Sequence, residues 1–462
     1  MSQERSLARA LPLIDRIVRT TSMVYLVALI AGVIAYKASF ANQVLIDPLF
    51  VGYGLVVAGY ILSRFFLSLL YRPASNRGLE PRVAIVVPAL NEEEAIASTI
   101  ETLVDLDYPV DKIEIVAVND GSTDGTLMEM RRAAGRDPRV RVIDFPENRG
   151  KRAAMAEGIR LTDAEFIVFV DSDSKVSQDG LRRIVQPFHD PAVGAVAGHA
   201  GVANPKESWI SRMQTVRYFA AFRIVKAAES LFGTVTCCSG CFSAYRRTAI
   251  LPVLREWEDQ KFLGKQTTYG DDRSLTNYVL RCWKVVYEST AIANTIVPST
   301  TSQFLKQQMR WKRSWTRESW IVSSFIWRKS PLAAAAIYTG IGLNLLGPIM
   351  AVRAVLWQPL VADAGAPTIY LAGVYAMALI YGLYYAIKKG SRDGLWAFGV
   401  LFVFFYLGCL IWQTYYALVT YRRNGWGTRT VGQTSVRGTN PLGVPALTPV
   451  PPPPPEVLKW VA

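Results

Sequence analysis

At 462 residues the chain can hold several domains, and apolar residues make up 51% of it against 19% charged. Its formal charge of +14 does not favour nucleic acid, because the basic residues gather beside apolar stretches: Arg5, Arg9, Arg16 and Arg19; Arg72, Arg77 and Arg82; Lys312, Arg313 and Arg317; Lys388, Lys389 and Arg392; Arg422 and Arg423. Five cysteines and two histidines exclude a disulfide scaffold and most histidine-based metal sites.

The apolar residues concentrate in 21–71 and 331–421, which suggests membrane segments on either side of a soluble domain. A hydrocarbon core of about 30 Å takes about 20 residues of helix. Residues 22–42 and 47–71 therefore read as two membrane helices. No signal-peptidase pattern follows the first, so neither reads as a cleaved signal. Basic residues before the first and after the second put residues 1–20 and the following domain on the cytoplasmic side of a bacterial-type inner (plasma) membrane. Arg64, toward the cytoplasmic end of the second span, is expected to snorkel.

Residues 78–300 read as an α/β domain. Short apolar runs at 83–87, 113–118, 140–145 and 166–170 alternate with helical patterns near 92–104, 125–134 and 150–161. That alternation predicts a parallel-dominated, Rossmann-like sheet with helices on both faces. Asn91 and Glu92 follow the first strand, Asp120 ends the second, and Asp171 and Asp173 end the fourth. Ligands bind at the carboxyl ends of strands in open α/β sheets, so three strand ends deliver polar groups to one edge.

Each motif also has a structural reading. Asp171-Ser-Asp173 puts two carboxylates on one side of an extended chain, where a hard cation such as Mg2+ or Mn2+ relieves their repulsion; the alternative is a solvated turn. Asp120-Gly-Ser-Thr-Asp-Gly125 opens like a calcium loop, but Arg131 stands where that loop needs glutamate, so a turn gripping a nucleobase or ribose fits better. Asn148-Arg-Gly-Lys-Arg152 precedes a helix, and Lys151 and Arg152 could attract a diphosphate there or form a solvated turn. In Gly270-Asp-Asp-Arg273 one carboxylate could deprotonate an acceptor hydroxyl, against helix capping. Cys238-Ser-Gly-Cys241 lacks the second pair that zinc requires and reads as a packed loop.

Residues 301–330 mix Phe304, Trp311, Trp315 and Trp320 with Lys306, Arg310, Lys312, Arg313 and Arg317, the pattern of amphipathic helices at a membrane interface. Within them Gln307-Gln-Met-Arg-Trp311 offers a sugar-stacking ring and a phosphate-gripping guanidinium, against anchoring alone. Segments 332–358, 366–388 and 394–421 follow within 331–421. Basic residues flank both ends of the last, so it is expected to bend back within the membrane. Residues 422–462 read as a cytoplasmic tail ending in a proline run at 450–455.

The ordered set Asn119-Asp120-Gly121-Ser122, Asp171-Ser172-Asp173, Gly270-Asp271-Asp272 and Gln307 to Trp311 resembles the processive family-2 membrane glycosyltransferases, over about residues 20–430. That group includes the cellulose, chitin and hyaluronan synthases. The hyaluronan synthases are most similar, through Gly198-His199, Cys238-Ser239-Gly240, Tyr245-Arg246-Arg247, Gly270-Asp-Asp-Arg-Ser-Leu-Thr-Asn277 and Trp426-Gly-Thr-Arg429. Cys241 replaces a usual proline, and Asn119 a common aspartate. The resemblance implies a GT-A-like cytoplasmic domain, inverting transfer from UDP-sugars, Mg2+ or Mn2+, and a nascent polysaccharide leaving through a channel across the lipid bilayer. It assigns Asp173 to the metal and Asp272 to the general base. Asn91, Glu92, Asp120, Lys151, Asp171, Arg310 and Arg429 fall to the nucleotide, and Ser239, Gly240, Gln307 and Trp311 to the acceptor. UDP-GlcNAc and UDP-GlcA are the expected donors. The alternatives are a single-sugar chitin-like polymerase, a non-processive lipid glycosyltransferase, or an export component with a degenerate nucleotide domain.

Overall fold

The computed structural model describes residues 20–36, 48–361, 366–390 and 393–421. Among the described residues there are ten strands: β1 Val83–Ala89, β2 Ile113–Asn119, β3 Val140–Asp144, β4 Phe166–Phe169, β5 Ser174–Val176, β6 Val193–Val202, β7 Ser243–Arg246, β8 Lys261–Phe262, β9 Lys265–Gln266 and β10 Lys284–Thr295. Eight of them form one sheet in the order β3-β2-β1-β4-β7-β6-β10-β5, while β8 and β9 make a separate hairpin.

All seven residues of β1 and all four of β4 are buried, as strands covered on both faces must be. Strands β1 to β4 are mutually parallel, and the register pairs Ala89 with Asn119 and Asn119 with Asp144, so three strand ends lie level. Helices Ile96–Val104, Thr126–Arg136 and Lys151–Arg160 fill the intervals. Beyond β4 the sheet departs from the simple parallel expectation. β7 enters antiparallel between β4 and β6, β10 lies parallel to β6, and β5 closes the edge antiparallel to β10.

Helices Pro48–Leu70, Pro331–Val361 and Tyr370–Lys389 are long and apolar enough to cross a membrane, and Thr20–Tyr36 is a shorter apolar helix. The last apolar stretch is broken, with 43° between Leu395–Leu410 and Gln413–Val419. Arg64 does not snorkel. It is buried, with its guanidinium 5.3 Å from the Tyr60 ring centroid, because its face of the helix packs inside the protein, where the adjacent Phe65 meets Tyr384 edge-on.

Candidate active site

The chain runs outward through β1, β2 and β3, then crosses back to β4 on the other side of β1. The strand order therefore reverses between β1 and β4, the position at which open α/β sheets place their ligand crevice, at the strands' carboxyl ends. Asn91 follows β1 in a left-handed conformation, φ 55°. Its backbone N–H donates to Ser122 Oγ at 3.0 Å, its Oδ1 accepts from Thr123 N–H at 2.9 Å, and Glu92 N–H donates to Thr126 Oγ1 at 2.7 Å. These bonds stitch the loop after β1 to the loop after β2, so Asn91 shapes the crevice wall.

Asn119 explains itself locally. Its amide donates to Asp144 Oδ1 at 2.7 Å and its carbonyl oxygen accepts from Ser122 N–H at 3.2 Å. An aspartate here would face Asp144 with like charge and no donor. Asp120 is buried and accepts from the N–H groups of Arg149, at 2.7 Å, and Gly150, at 3.0 Å. Burial pushes its carboxyl up to about 6, against those two backbone bonds, which favour the charged form.

The turn that caps Asp120 also supplies Lys151, whose ammonium is paired with Asp171. Burial lowers the Lys151 pKa, but Asp171, Asp272 and Asp271 outweigh it and hold the group above its ordinary value. One turn thus ties the end of β2 to the end of β4 and to the Asp271–Leu280 helix. Asp173 accepts from Thr295 Oγ1 at 3.2 Å, and burial, then Asp171 and Glu92, push its carboxyl up to about 6. That crowding of carboxylates is what a divalent ion would relieve, so the donor set fits one. Among the described residues no three His, Cys, Asp or Glu side chains form a cage by themselves.

The two carboxylates of the Gly270 turn separate cleanly. Asp271 is buried and accepts from Arg152 Nε at 2.8 Å. Arg152 also donates to the Trp257 carbonyl at 2.9 Å and Thr267 Oγ1 at 2.8 Å. Arg152 is therefore a buried strut, which removes it as a diphosphate ligand. Asp272 is half-buried. Its Oδ1 accepts from Arg273 N–H at 2.8 Å, and Cys237 Sγ lies 3.7 Å from its Oδ2. Beside it, Phe242 N–H closes a turn on the Ser239 carbonyl at 3.2 Å, and a Cβ on Gly240 would stand 2.9 Å from Asp171 Oδ1. Only glycine lets that loop lie against the carboxylate. Cys238 and Cys241 are buried free thiols, and Cys241 Sγ accepts from Ser174 Oγ at 3.4 Å, as a packed loop requires.

Helix Thr301–Ser323 carries Gln307, Arg310 and Trp311, all half-buried. Its basic residues do not all face lipid headgroups. Arg317 is buried, donating to Glu318 Oε1 at 2.8 Å and to the Tyr269 carbonyl at 2.7 Å. Lys312 turns inward to the Leu410 carbonyl and to Thr414 Oγ1, the latter at 2.8 Å. Trp320 is exposed, as an anchor would be. Arg429, with the rest of Trp426-Gly-Thr-Arg429, lies outside the described residues. Thr295, Cys237, Arg217 and Tyr218 join this region unforeseen. The only sequence signal was the Arg-Tyr pair at 217–218, which sits in an ordinary helical pattern.

Residues 84–252 match the domain described as glycosyl transferase family 2. A hyaluronan synthase of Streptococcus pyogenes is 31% identical over 426 residues, covering 91% of this chain and 98% of that one. An N-acetylglucosaminyltransferase of Rhizobium meliloti (strain 1021) is 36% identical over 278 residues, covering 59% of this chain and 65% of that one. Among solved structures, a mannosyltransferase from Pyrobaculum calidifontis in complex with GDP-Man and Mn2+ has a TM-score of 0.51 at 20% identity, over 77% of this chain and 99% of that one. The fold is GT-A-like.

Proposed function

This chain belongs to glycosyl transferase family 2, and from that membership we propose that it is a processive, inverting polymerase. It joins sugars from UDP-GlcNAc and UDP-GlcA into hyaluronan at the cytoplasmic face of the membrane. The single observation that carries this reading is the convergence on Lys151. Asp120 holds the turn before it, Asp171 pairs with it, and Asp272 bears on its charge.

In this reading Asp120 fixes the uridine, with Asn91 and Glu92 forming the wall beside it. Asp173, with Asp171 adjacent, would hold Mg2+ or Mn2+. When bound, the ion supplies positive charge to the departing diphosphate in place of a protonated acid. Lys151, and from the acceptor side Arg310 and Arg429, add to that charge. Trp311 stacks on the acceptor sugar, flanked by Gln307, Ser239 and Gly240. Asp272 takes the proton from the acceptor hydroxyl as its oxygen bonds to the donor C1 and the C1–O bond to UDP breaks. One displacement inverts C1 without a covalent enzyme intermediate. The membrane helices and the broken 395–419 stretch would carry the chain outward.

The similarity to an N-acetylglucosaminyltransferase supports a second reading, a single-sugar β-glycan polymerase. Incubating purified enzyme with each UDP-sugar alone and with both, then digesting the product with linkage-specific hydrolases, separates the two. Polymer only from the pair is expected; polymer from UDP-GlcNAc alone rejects hyaluronan in favour of the chitin-like product.

A further inference from the structure

Two cations stand between Trp311 and the last membrane segment, and neither makes an ion pair among the described residues. Arg217, on helix Trp209–Ala220, lies with its guanidinium carbon 5.2 Å from the Trp311 ring centroid and 5.4 Å from that of Phe402. Its Nη1 is fully buried and has no hydrogen-bond partner. Lys312, next to Trp311, places its Nζ 5.0 Å from the Tyr406 ring centroid. Burial, and then Arg217, push the Lys312 ammonium down to about 8. The aromatic rings offset part of the cost of burying Arg217, but they supply no acceptor for its N–H groups.

The position narrows what could supply that acceptor. Tyr218, one residue on, has its ring centroid 6.4 Å from that of Trp311, and its electrostatic neighbours include Asp171 and Asp173. The diphosphate belongs on the Lys151 side of those carboxylates. In the polysaccharide reading above, the acceptor chain runs from Trp311 toward Phe402 and Tyr406. A planar guanidinium with free N–H groups matches a carboxylate, and an acidic sugar carries one on C6.

We infer that Arg217 receives the carboxylate of a uronic acid residue in the acceptor chain, with Lys312 keeping the surroundings positive. The inference rests on the polysaccharide reading above and assigns a specificity residue that reading did not include. It makes the passage from Trp311 to the membrane segment selective for an acidic polymer over a neutral one.

The test uses the full-length enzyme in lipid nanodiscs. Hyaluronan oligosaccharides, and the same oligosaccharides with their carboxyl groups reduced to alcohols, compete for the acceptor site. The readout is the ratio of the two affinities. Wild type is expected to prefer the charged form by about tenfold, R217Q to bring the ratio close to one, and R217K to fall between because it keeps charge without the fork. Should R217Q not fold, R217K and the wild-type ratio decide. A wild type without preference, or either variant keeping the full ratio, overturns the inference. The parent reading fails differently: wild type making polymer from UDP-GlcNAc alone rejects it whatever Arg217 does.

Discussion

At Asp120, burial and hydrogen bonding pull in opposite directions, and burial wins, moving the carboxyl from 3.8 to about 6. Between about pH 4 and 6 the folded chain keeps a proton that the unfolded chain has released. Stability from this group therefore falls as pH rises through that window and is level above it. Asp120→Asn should remove that share of the pH-dependent stability, on the order of 3 kcal/mol, from unfolding measured in detergent across pH, leaving the share of Asp173, which is shifted the same way. The same variant should weaken UDP binding about tenfold by calorimetry, since an amide is a poorer acceptor than a carboxylate. An undiminished slope would assign it to other groups. A second expectation concerns the metal. If Asp173 holds the ion together with the diphosphate of a bound nucleotide, as proposed above, metal and nucleotide should bind jointly. Mn2+ alone should barely move the melting temperature, while Mn2+ with UDP should raise it by about 3 °C or more. Asp173→Asn should lose that joint increment, and chelation should stop transfer until Mg2+ or Mn2+ is restored.

Among the elements, the Asp271–Leu280 helix and the Thr301–Ser323 helix meet at Gly270. Gly270 has φ 77°, and a Cβ there would collide with Ser314 and crowd Arg317. Gly270→Ala should cost about 1–3 kcal/mol of stability and lower transfer more than about tenfold, because strain at this turn displaces Asp272. Adding Ser314→Gly relieves the collision but not the backbone strain, so part of the rate should return. Equal activity of the single variant and wild type would detach this turn from the chemistry. The strands β1, β2 and β4 were legible because each is a short, mainly apolar run rich in β-branched residues, bounded by turn-forming sequence. The antiparallel entry of β7 was not, since a short apolar run carries no sign of its direction. Nor was the loss of Arg152 to Asp271, a pairing between residues 119 apart in sequence.

For the molecule as a whole, composition pointed to the three helices that are long and apolar enough to cross a membrane, because a span needs many apolar residues in a row, whereas the first expected span, 22–42, is described only as the shorter helix Thr20–Tyr36. Composition could not say which way Arg64, Lys312 or Arg317 point. That depends on which helix face a neighbour covers, and all three turn into protein. The strand-end carboxylates were legible from position alone, whereas Arg217 became visible only when Trp311 and Phe402 closed around it. The seam at Gly270 bears on how this protein should be handled. A water-soluble fragment cut near residue 300 would retain the whole sheet, yet the first turn of the Asp271–Leu280 helix would have lost its backstop. Inhibitors selected against such a fragment would be fitted to a relaxed, miscast pocket, so screening belongs on the intact chain in a bilayer.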